Sequence, residues 1–435
     1  MVKNHAYLIL SIASIVNLLM AGCDTKKDDE FPVITVSQPL AGTIYEVGDT
    51  IKFSALISDN NKLNAVEISL IDNENNKPSL QTISIKPDKN PFTFHGDYVI
   101  NDPLLAGGKY QLRFRALDDE NVTNKFVEIQ LIELEQELLY PLIITHPENE
   151  KWIAYKMTSG NTWKELYTHT GDFCGSAINS AASLLYMCGI YQSDLTAVKL
   201  TDGLPLWNIK PGLNQKLRWF EHLSFSNQVL YASCTEGNIR GYNKSGTETY
   251  KSGIYANMIP GVSALTKNYL VASFTDVFST ERFLVAFHNT GGLLIYTKFI
   301  QTEVVELLHA TADKVLVFSN SNGKGEISVY DGSDNSIYMT HTFPDGTFKE
   351  AATMDTDNYL VATSAGLYWY RLSNNSLTPF VAKQINGHIA CDYTSQLVYT
   401  SSGKMLEVYS FPFASLVESY ALPDTLADLH LVFNK

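Results

Sequence analysis

The sequence predicts an all-β chain in two parts, a sandwich of short strands followed by a seven-bladed propeller. Three observations lead there. From residue 31 onward, short segments alternate apolar and polar residues and are separated by Asn, Asp and Gly. From residue 141, a pair of strands recurs at a nearly constant interval. The chain then ends on a strand of the kind that the first repeat lacks. With 435 residues, 45% of them hydrophobic and 18% charged, the chain has the apolar content to bury large cores.

The first thirty residues read as an address. Lys3 supplies positive charge, and Ala6 to Met20 is an apolar run of 15 residues, short for a bilayer span. The small residues Ala21 and Gly22 then precede Cys23. Met20-Ala21-Gly22-Cys23 resembles the lipobox of bacterial lipoproteins, with Met where Leu is usual. The resemblance implies a signal peptide over 1–22 and a diacylated Cys23 as the first mature residue, anchoring the chain to the outer membrane. Residues 23–30 form an acidic tether. Asp24 to Glu30 is similar to the export tag of Bacteroidota lipoproteins displayed on the cell exterior; a periplasm-facing orientation is the alternative.

Residues 31–133 hold seven alternating segments, among them Thr50 to Ile57, Ala65 to Leu70, Tyr110 to Ala116 and Phe126 to Leu131. Seven short strands in about a hundred residues is the count of an immunoglobulin-like sandwich. Pro39 to Gly48 and the acidic turns at Ser58 to Asn61 and Ala116 to Asn121 resemble the Ig-like and cadherin-like modules of bacterial surface lipoproteins. Asp59, Asp118, Asp119 and Glu120 are weak calcium candidates, because Ca²⁺ takes several carboxylate oxygens. The competing expectation is that these side chains only make the turns. Residues 134–140 are the linker. Net charge is −9 over residues 24–140 and −6 over 141–435, so the first module is an acidic stalk.

In residues 141–435, apolar second strands begin at Leu184, Val229, Tyr269, Val315, Tyr359 and Leu397, spaced 45, 40, 46, 44 and 38 residues apart. An alternating third strand follows each. Four strands in about 42 residues is the blade of a propeller, and this segment accommodates about seven. Leu142 to Thr145, Trp152 to Lys156 and Trp163 to Tyr167 read as second, third and fourth strands with no first. Asp428 to Asn434 matches the first-strand pattern of Glu221 to Asn227, so the C-terminal strand is expected to complete the first blade and leave no open edge. Leu195 to Trp207, with its Thr201-Asp202-Gly203 turn, resembles the quinoprotein-like (PQQ-type) repeat. That resemblance implies architecture alone, since the vicinal cysteines of a quinone-dependent dehydrogenase are missing, and no cofactor is expected.

Chemistry-bearing motifs are sparse. There is no C-x₂-C, H-E-x-x-H, G-x-S-x-G or P-loop pattern. Cys174 and Cys188 are spaced to bridge adjacent strands, against the alternative of buried free thiols. The formal charge of −14 and the lack of a basic stretch argue against nucleic acid as a partner. Three long connections, Pro211 to Glu221, Ser252 to Pro260 and Thr275 to Arg282, fall on one propeller face in neighbouring blades. They nominate a ligand- or partner-binding patch of Lys216, Arg218, Trp219, Phe220, Tyr255, Met258, Phe278, Glu281 and Arg282, rich in the residue types that anchor interfaces. Against it stands the expectation that Trp219 and Phe220 fill a seam between blades.

The resulting expectation is a non-catalytic binding or scaffold lipoprotein on the cell surface. The arrangement resembles accessory lipoproteins of SusC/SusD-like TonB-dependent uptake complexes, which implies a glycan or peptide ligand or docking on a transporter. The alternatives are a periplasm-facing scaffold for outer-membrane protein assembly and a propeller polysaccharide lyase or hydrolase.

Overall fold

The computed structural model describes residues 29–72, 79–148, 150–191, 193–210, 219–383, 385 and 388–435. The expected signal peptide, Cys23, Lys216 and Arg218 lie outside the described residues. Those described form strands and no helix. The chain divides into two compact units, Met1–Glu135 and Gln136–Lys435.

The first unit contains β1 (Val33–Gln38), β2 (Thr43–Glu46), β3 (Thr50–Ser58), β4 (Ala65–Asp72), β5 (Ile83–Ile85), β6 (Phe92–Val99), β7 (Gly108–Leu117) and β8 (Val122–Ile132). They form two sheets, ordered β1-β3-β6 and β2-β8-β7-β4-β5. Ile51, Phe53 and Phe94 from the first sheet meet Ile68, Leu112 and Phe114 from the second in one core. The Phe53 and Phe94 rings lie 4.9 Å apart. Two strands depart from the sequence expectation. Strand β2 lies within Pro39 to Gly48, which is not among the expected alternating segments, and it pairs parallel to β8. Strand β6 begins at Phe92, not Tyr98, because Gly96 interrupts its apolar alternation. That glycine makes room for Phe53, whose ring would lie 3.1 Å from a Cβ at this position.

The second unit begins with β9 (Leu138–Glu148), β10 (Lys151–Met157) and β11 (Trp163–Thr170), so its first strand starts inside the expected linker. The second sheet is β12 (Gly175–Asn179), β13 (Leu184–Cys188), β14 (Leu195–Lys199) and β15 (Pro205–Ile209). The third is β16 (Phe220–Ser226), β17 (Val229–Cys234), β18 (Asn238–Tyr242) and β19 (Glu248–Lys251). The fourth is β20 (Met258–Leu265), β21 (Tyr269–Asp276), β22 (Arg282–His288) and β23 (Leu294–Ile300). The fifth is β24 (Glu303–His309), β25 (Lys314–Ser321), β26 (Lys324–Asp331) and β27 (Ser336–Thr342). The sixth is β28 (Phe348–Thr353), β29 (Asn358–Thr363), β30 (Leu367–Arg371) and β31 (Ser376–Val381). The seventh is β32 (Ile389–Asp392), β33 (Leu397–Ser402), β34 (Met405–Ser410) and β35 (Ser415–Ala421). The last strand, β36 (Leu426–Phe433), pairs antiparallel with β9, Leu429 opposite Ile143. First strands touch in succession from β12 through β32 to β36, and β36 touches β12.

Burial follows strand position. All five residues of β13 are buried, because a second strand is covered on both faces by neighbouring sheets. Such strands therefore read as continuous apolar runs. The fourth strand β35 is almost wholly exposed. The hairpin between third and fourth strands needs one left-handed residue, and Asn161, Gly203, Gly246, Gly292, Asn335, Asn375 and Ala414 supply it with φ from 51° to 78°. At Gly203 a Cβ would lie 1.9 Å from the Leu166 carbonyl oxygen of the preceding sheet. At Gly246 the Trp207 ring lies over the Cα, and its indole N–H donates to the Lys244 carbonyl at 3.0 Å. The Gly turn and the Trp of the repeat thus join one blade to the next.

Candidate functional site

The first strands carry the polar chemistry of the second unit. Ser176, His222, Ser263, Glu306, Glu350, His388 and Asp428 come from, or directly precede, the first strands of the seven sheets. Ladder register shifts between Phe220 and His222, Pro260 and Ser263, Val304 and Glu306, Phe348 and Glu350, and Leu426 and Asp428. A bulge of this kind re-aims the side chain that follows it. The buried Phe220, Phe348 and Leu426 anchor the strand in a seam, and the residue two positions later turns away from that core.

Several of these side chains are linked. Ser176 Oγ donates to Asp428 Oδ2 at 2.6 Å and lies 2.7 Å from His430 Nε2. His388 Nδ1 lies 3.2 Å from Glu350 Oε2, and Glu350 Oε1 accepts from the Ile389 N–H at 3.2 Å. Ser224 and Ser263 hydroxyls are 2.9 Å apart. Burial raises the Glu306 carboxyl to about 8, and the neighbouring Glu350 and Asp428 charges push the same way. Burial lowers His222 to about 4, and its Nδ1 has no hydrogen-bond partner among the described residues. Burial would raise Asp428, but His430, His388 and Ser176 outweigh it and hold the carboxyl well below the usual range. Burial would lower His388, and its bond to Glu350 outweighs that and raises it. Asp428 and Ser176 both approach Nε2 of His430, so the ring does not relay between them. A nucleophilic triad needs the serine on one ring nitrogen and the carboxylate on the other.

Because strands alternate in direction, the starts of first and third strands and the ends of second and fourth strands share one face, here called the upper face. A cleft of about 380 Å³ opens on it across the third, fourth and fifth sheets. Ile259, Thr275, Arg282 and Ile300 form a continuous cross-strand row over β20, β21, β22 and β23. Pro260, Val262, Phe274 and Val304 add apolar wall, and Glu221, His222 and Glu303 add titratable groups. Among the described residues, no carboxylate lies within ion-pair distance of Arg282, and no cation within that distance of Glu303.

The structure divides the expected patch. Phe220 and Met258 are buried in two different seams. Trp219 is half-buried, edge-on to Phe220 at 6.0 Å, with the Arg240 guanidinium 5.4 Å from its ring. Tyr255 is half-buried against Phe274. All four pack against the seams, Phe220 and Met258 fully and Trp219 and Tyr255 in part. Arg282 lines the cleft, Glu281 is exposed, and Phe278 is 80% exposed. The sequence reading missed the first-strand row. Its signal was a polar residue at the blade period, positions 176, 222, 263, 306, 350, 388 and 428.

A second groove, about 620 Å³, runs between β11, β14 and β15 and is lined by Tyr167, His169, Asp194, Trp207 and Asn208. Its polar groups are already engaged: Asn208 donates to Asp194 at 2.7 Å, and Ser193 donates to the Thr170 carbonyl at 3.0 Å. In the first unit, Asp118 accepts from the Glu120 and Asn121 N–H groups, Asp59 accepts from the Asn61 N–H, and Asp119 accepts from Asn64. Asp59 and Asp118 thus serve their own turns and Asp119 ties its turn to Asn64, and no group of three His, Cys, Asp or Glu that would hold a metal occurs among the described residues. Cys174, Cys188, Cys234 and Cys391 are free thiols. Burial raises Cys188 well above the usual thiol range and Cys234 to about 12, so both are inert apolar packing.

No family model and no curated protein matches this chain. Among solved structures it is similar to a quinonprotein alcohol dehydrogenase-like protein from Bacteroides thetaiotaomicron, at 13% identity and a TM-score of 0.48, over 92% of this chain and 99% of that one. It is also similar to BamB from Moraxella catarrhalis, at 11% identity and a TM-score of 0.41, over 68% and 96%. A third is the hydrazine synthase of Kuenenia stuttgartiensis, at 10% identity and 0.46, over 68% and 99%. Likeness at this level transfers no chemistry, and the propeller reading rests on the chain's own strand pairing.

Proposed function

We propose that this chain is a surface-displayed outer-membrane lipoprotein acting as a non-catalytic binding or scaffold subunit. An immunoglobulin-like sandwich would carry a seven-bladed propeller closed by the C-terminal strand, accessory to a SusCD-like TonB-dependent uptake complex for glycan or peptide. The observation that carries the binding role is the upper-face cleft, which holds apolar walls beside Arg282 and Glu303, neither of them ion-paired among the described residues. Charge without a partner in a concave site with apolar walls is where a ligand gains most by contact. The pairing of β36 with β9 and the circuit of first strands support ring closure. The lipobox and the acidic tag support anchoring and display.

The test is an affinity pull-down of the full-length lipoprotein from gently solubilised outer membranes, with mass spectrometry of what accompanies it. Stoichiometric recovery of a TonB-dependent transporter and its lid lipoprotein is the expected result. Recovery of assembly-machinery components with protease protection on intact cells would favour the periplasmic scaffold. One observation favours an enzyme instead: Glu306, raised to about 8, stays protonated at neutral pH, as a general acid requires. Turnover of a polysaccharide, lost in Glu306→Gln, would establish that second reading.

A further inference from the structure

We propose that the upper-face cleft captures the C-terminal end of a peptide, with Arg282 receiving the α-carboxylate and the apolar wall receiving the last side chain. The proposal rests on the binding-protein reading and names its ligand class. Three observations carry it.

The first is size and lining. A volume of about 380 Å³ lies at the small end of ligand sites, room for one or two peptide residues and not for a long chain. Ile259, Pro260, Val262, Ile300 and Val304 offer hydrocarbon where a neutral glycan would need hydroxyl partners. The second is charge. Among the described residues, Arg282 is the single arginine or lysine of the lining, and it is not ion-paired. A planar guanidinium takes a carboxylate through two parallel hydrogen bonds. Glu221 and Glu303 in the same cleft, within a chain of net charge −14, oppose a polyanion such as a polyuronate. One carboxylate on an apolar residue satisfies both conditions.

The third is the rim. Phe278 is 80% exposed and Val277 53% exposed on the turn between β21 and β22. That turn is stiff: the Asp276 carboxylate accepts from the Phe278 and Ser279 N–H groups at 2.8 and 2.7 Å. The Val277 N–H donates to the Asn257 carbonyl at 3.0 Å, tying it to the neighbouring turn, where Ile254 is 64% exposed. An exposed aromatic held on a rigid support loses little freedom when it is covered. Its turn joins the lining residues Thr275 and Arg282, and the residues preceding the peptide terminus would pass over it.

The experiment is calorimetric titration of the full-length mature protein with acetyl-Gly-Gly-Leu as its free acid and as its C-terminal amide. The acid is expected to bind, the amide about tenfold or more weaker. Arg282→Gln should lose binding of the acid by a similar factor at unchanged melting temperature, with Arg282→Lys retaining part of it. Phe278→Ala should weaken longer peptides more than the tripeptide. Equal binding of acid and amide, no binding of either, or tighter binding of a neutral or acidic oligosaccharide would each overturn the proposal. Transporter recovery without peptide binding would leave the uptake reading standing and remove this one. Peptide binding without a transporter would do the reverse.

Discussion

First and second strands of the propeller are neighbours in every sheet, yet they follow opposite rules. The second strands are buried on both faces and carry aliphatic and aromatic side chains into the seams, as Phe318 does against Phe348 at 5.0 Å. The first strands bulge and gather Glu306, Glu350, His388 and Asp428, where burial works against ionisation of the two glutamates while His430, His388 and Ser176 hold the Asp428 carboxyl low. The seams account for stability, whereas the buried glutamates of the first-strand row are tolerated at a cost. Residues that weaken a fold and persist in it are where function is to be sought.

Substitutions sharpen this contrast. The largest effect belongs to a seam. Phe318→Ala should destabilise the second unit by about 3–5 kcal/mol in denaturant unfolding, through lost burial and an unfilled cavity. Gly203→Ala forces a left-handed residue against the Leu166 carbonyl and should cost roughly 1–3 kcal/mol. Were both as mild as surface changes, the seams would not carry the fold. Asp428→Asn should cost roughly 1–2 kcal/mol at pH 7. Since the folded carboxyl lies below its unfolded value, wild type holds this increment above pH 4 and loses it as pH falls further, so the two proteins converge in acid. Phe278→Ala should change stability by less than about 0.5 kcal/mol, because the ring contributes little burial. A large loss there would make the turn structural.

The same contrast explains what could be read from the sequence. Second strands such as Tyr359 to Thr363 announced themselves because double-sided burial demands unbroken apolar runs, and β29 spans Asn358–Thr363. The first strands were harder, since a bulge shifts the alternation by one residue partway along. In the sandwich, β2 and the start of β6 were hidden for related reasons, a parallel pairing of four residues and a glycine in the alternating face. Long loops nominate both Phe278 and Phe220, but loop length does not separate Phe220, which begins β16 and is fully buried, from Phe278, which projects from a turn. That distinction needs the register of the neighbouring strands.

The most direct test of the contrast is the unfolding free energy of wild type and Glu306→Gln from pH 4.5 to 8.5. Glu306 titrates near 8 when folded and near the ordinary glutamate value when unfolded, so wild type loses stability across that interval as pH rises. The glutamine variant carries no such charge. It should match wild type near pH 4.5 and exceed it by roughly 1–3 kcal/mol at pH 8.5, less than the full shift implies because the site retains access to water. A variant less stable than wild type at pH 8.5, or a difference independent of pH, would contradict the view that Glu306 is held in the first-strand row at the expense of the fold.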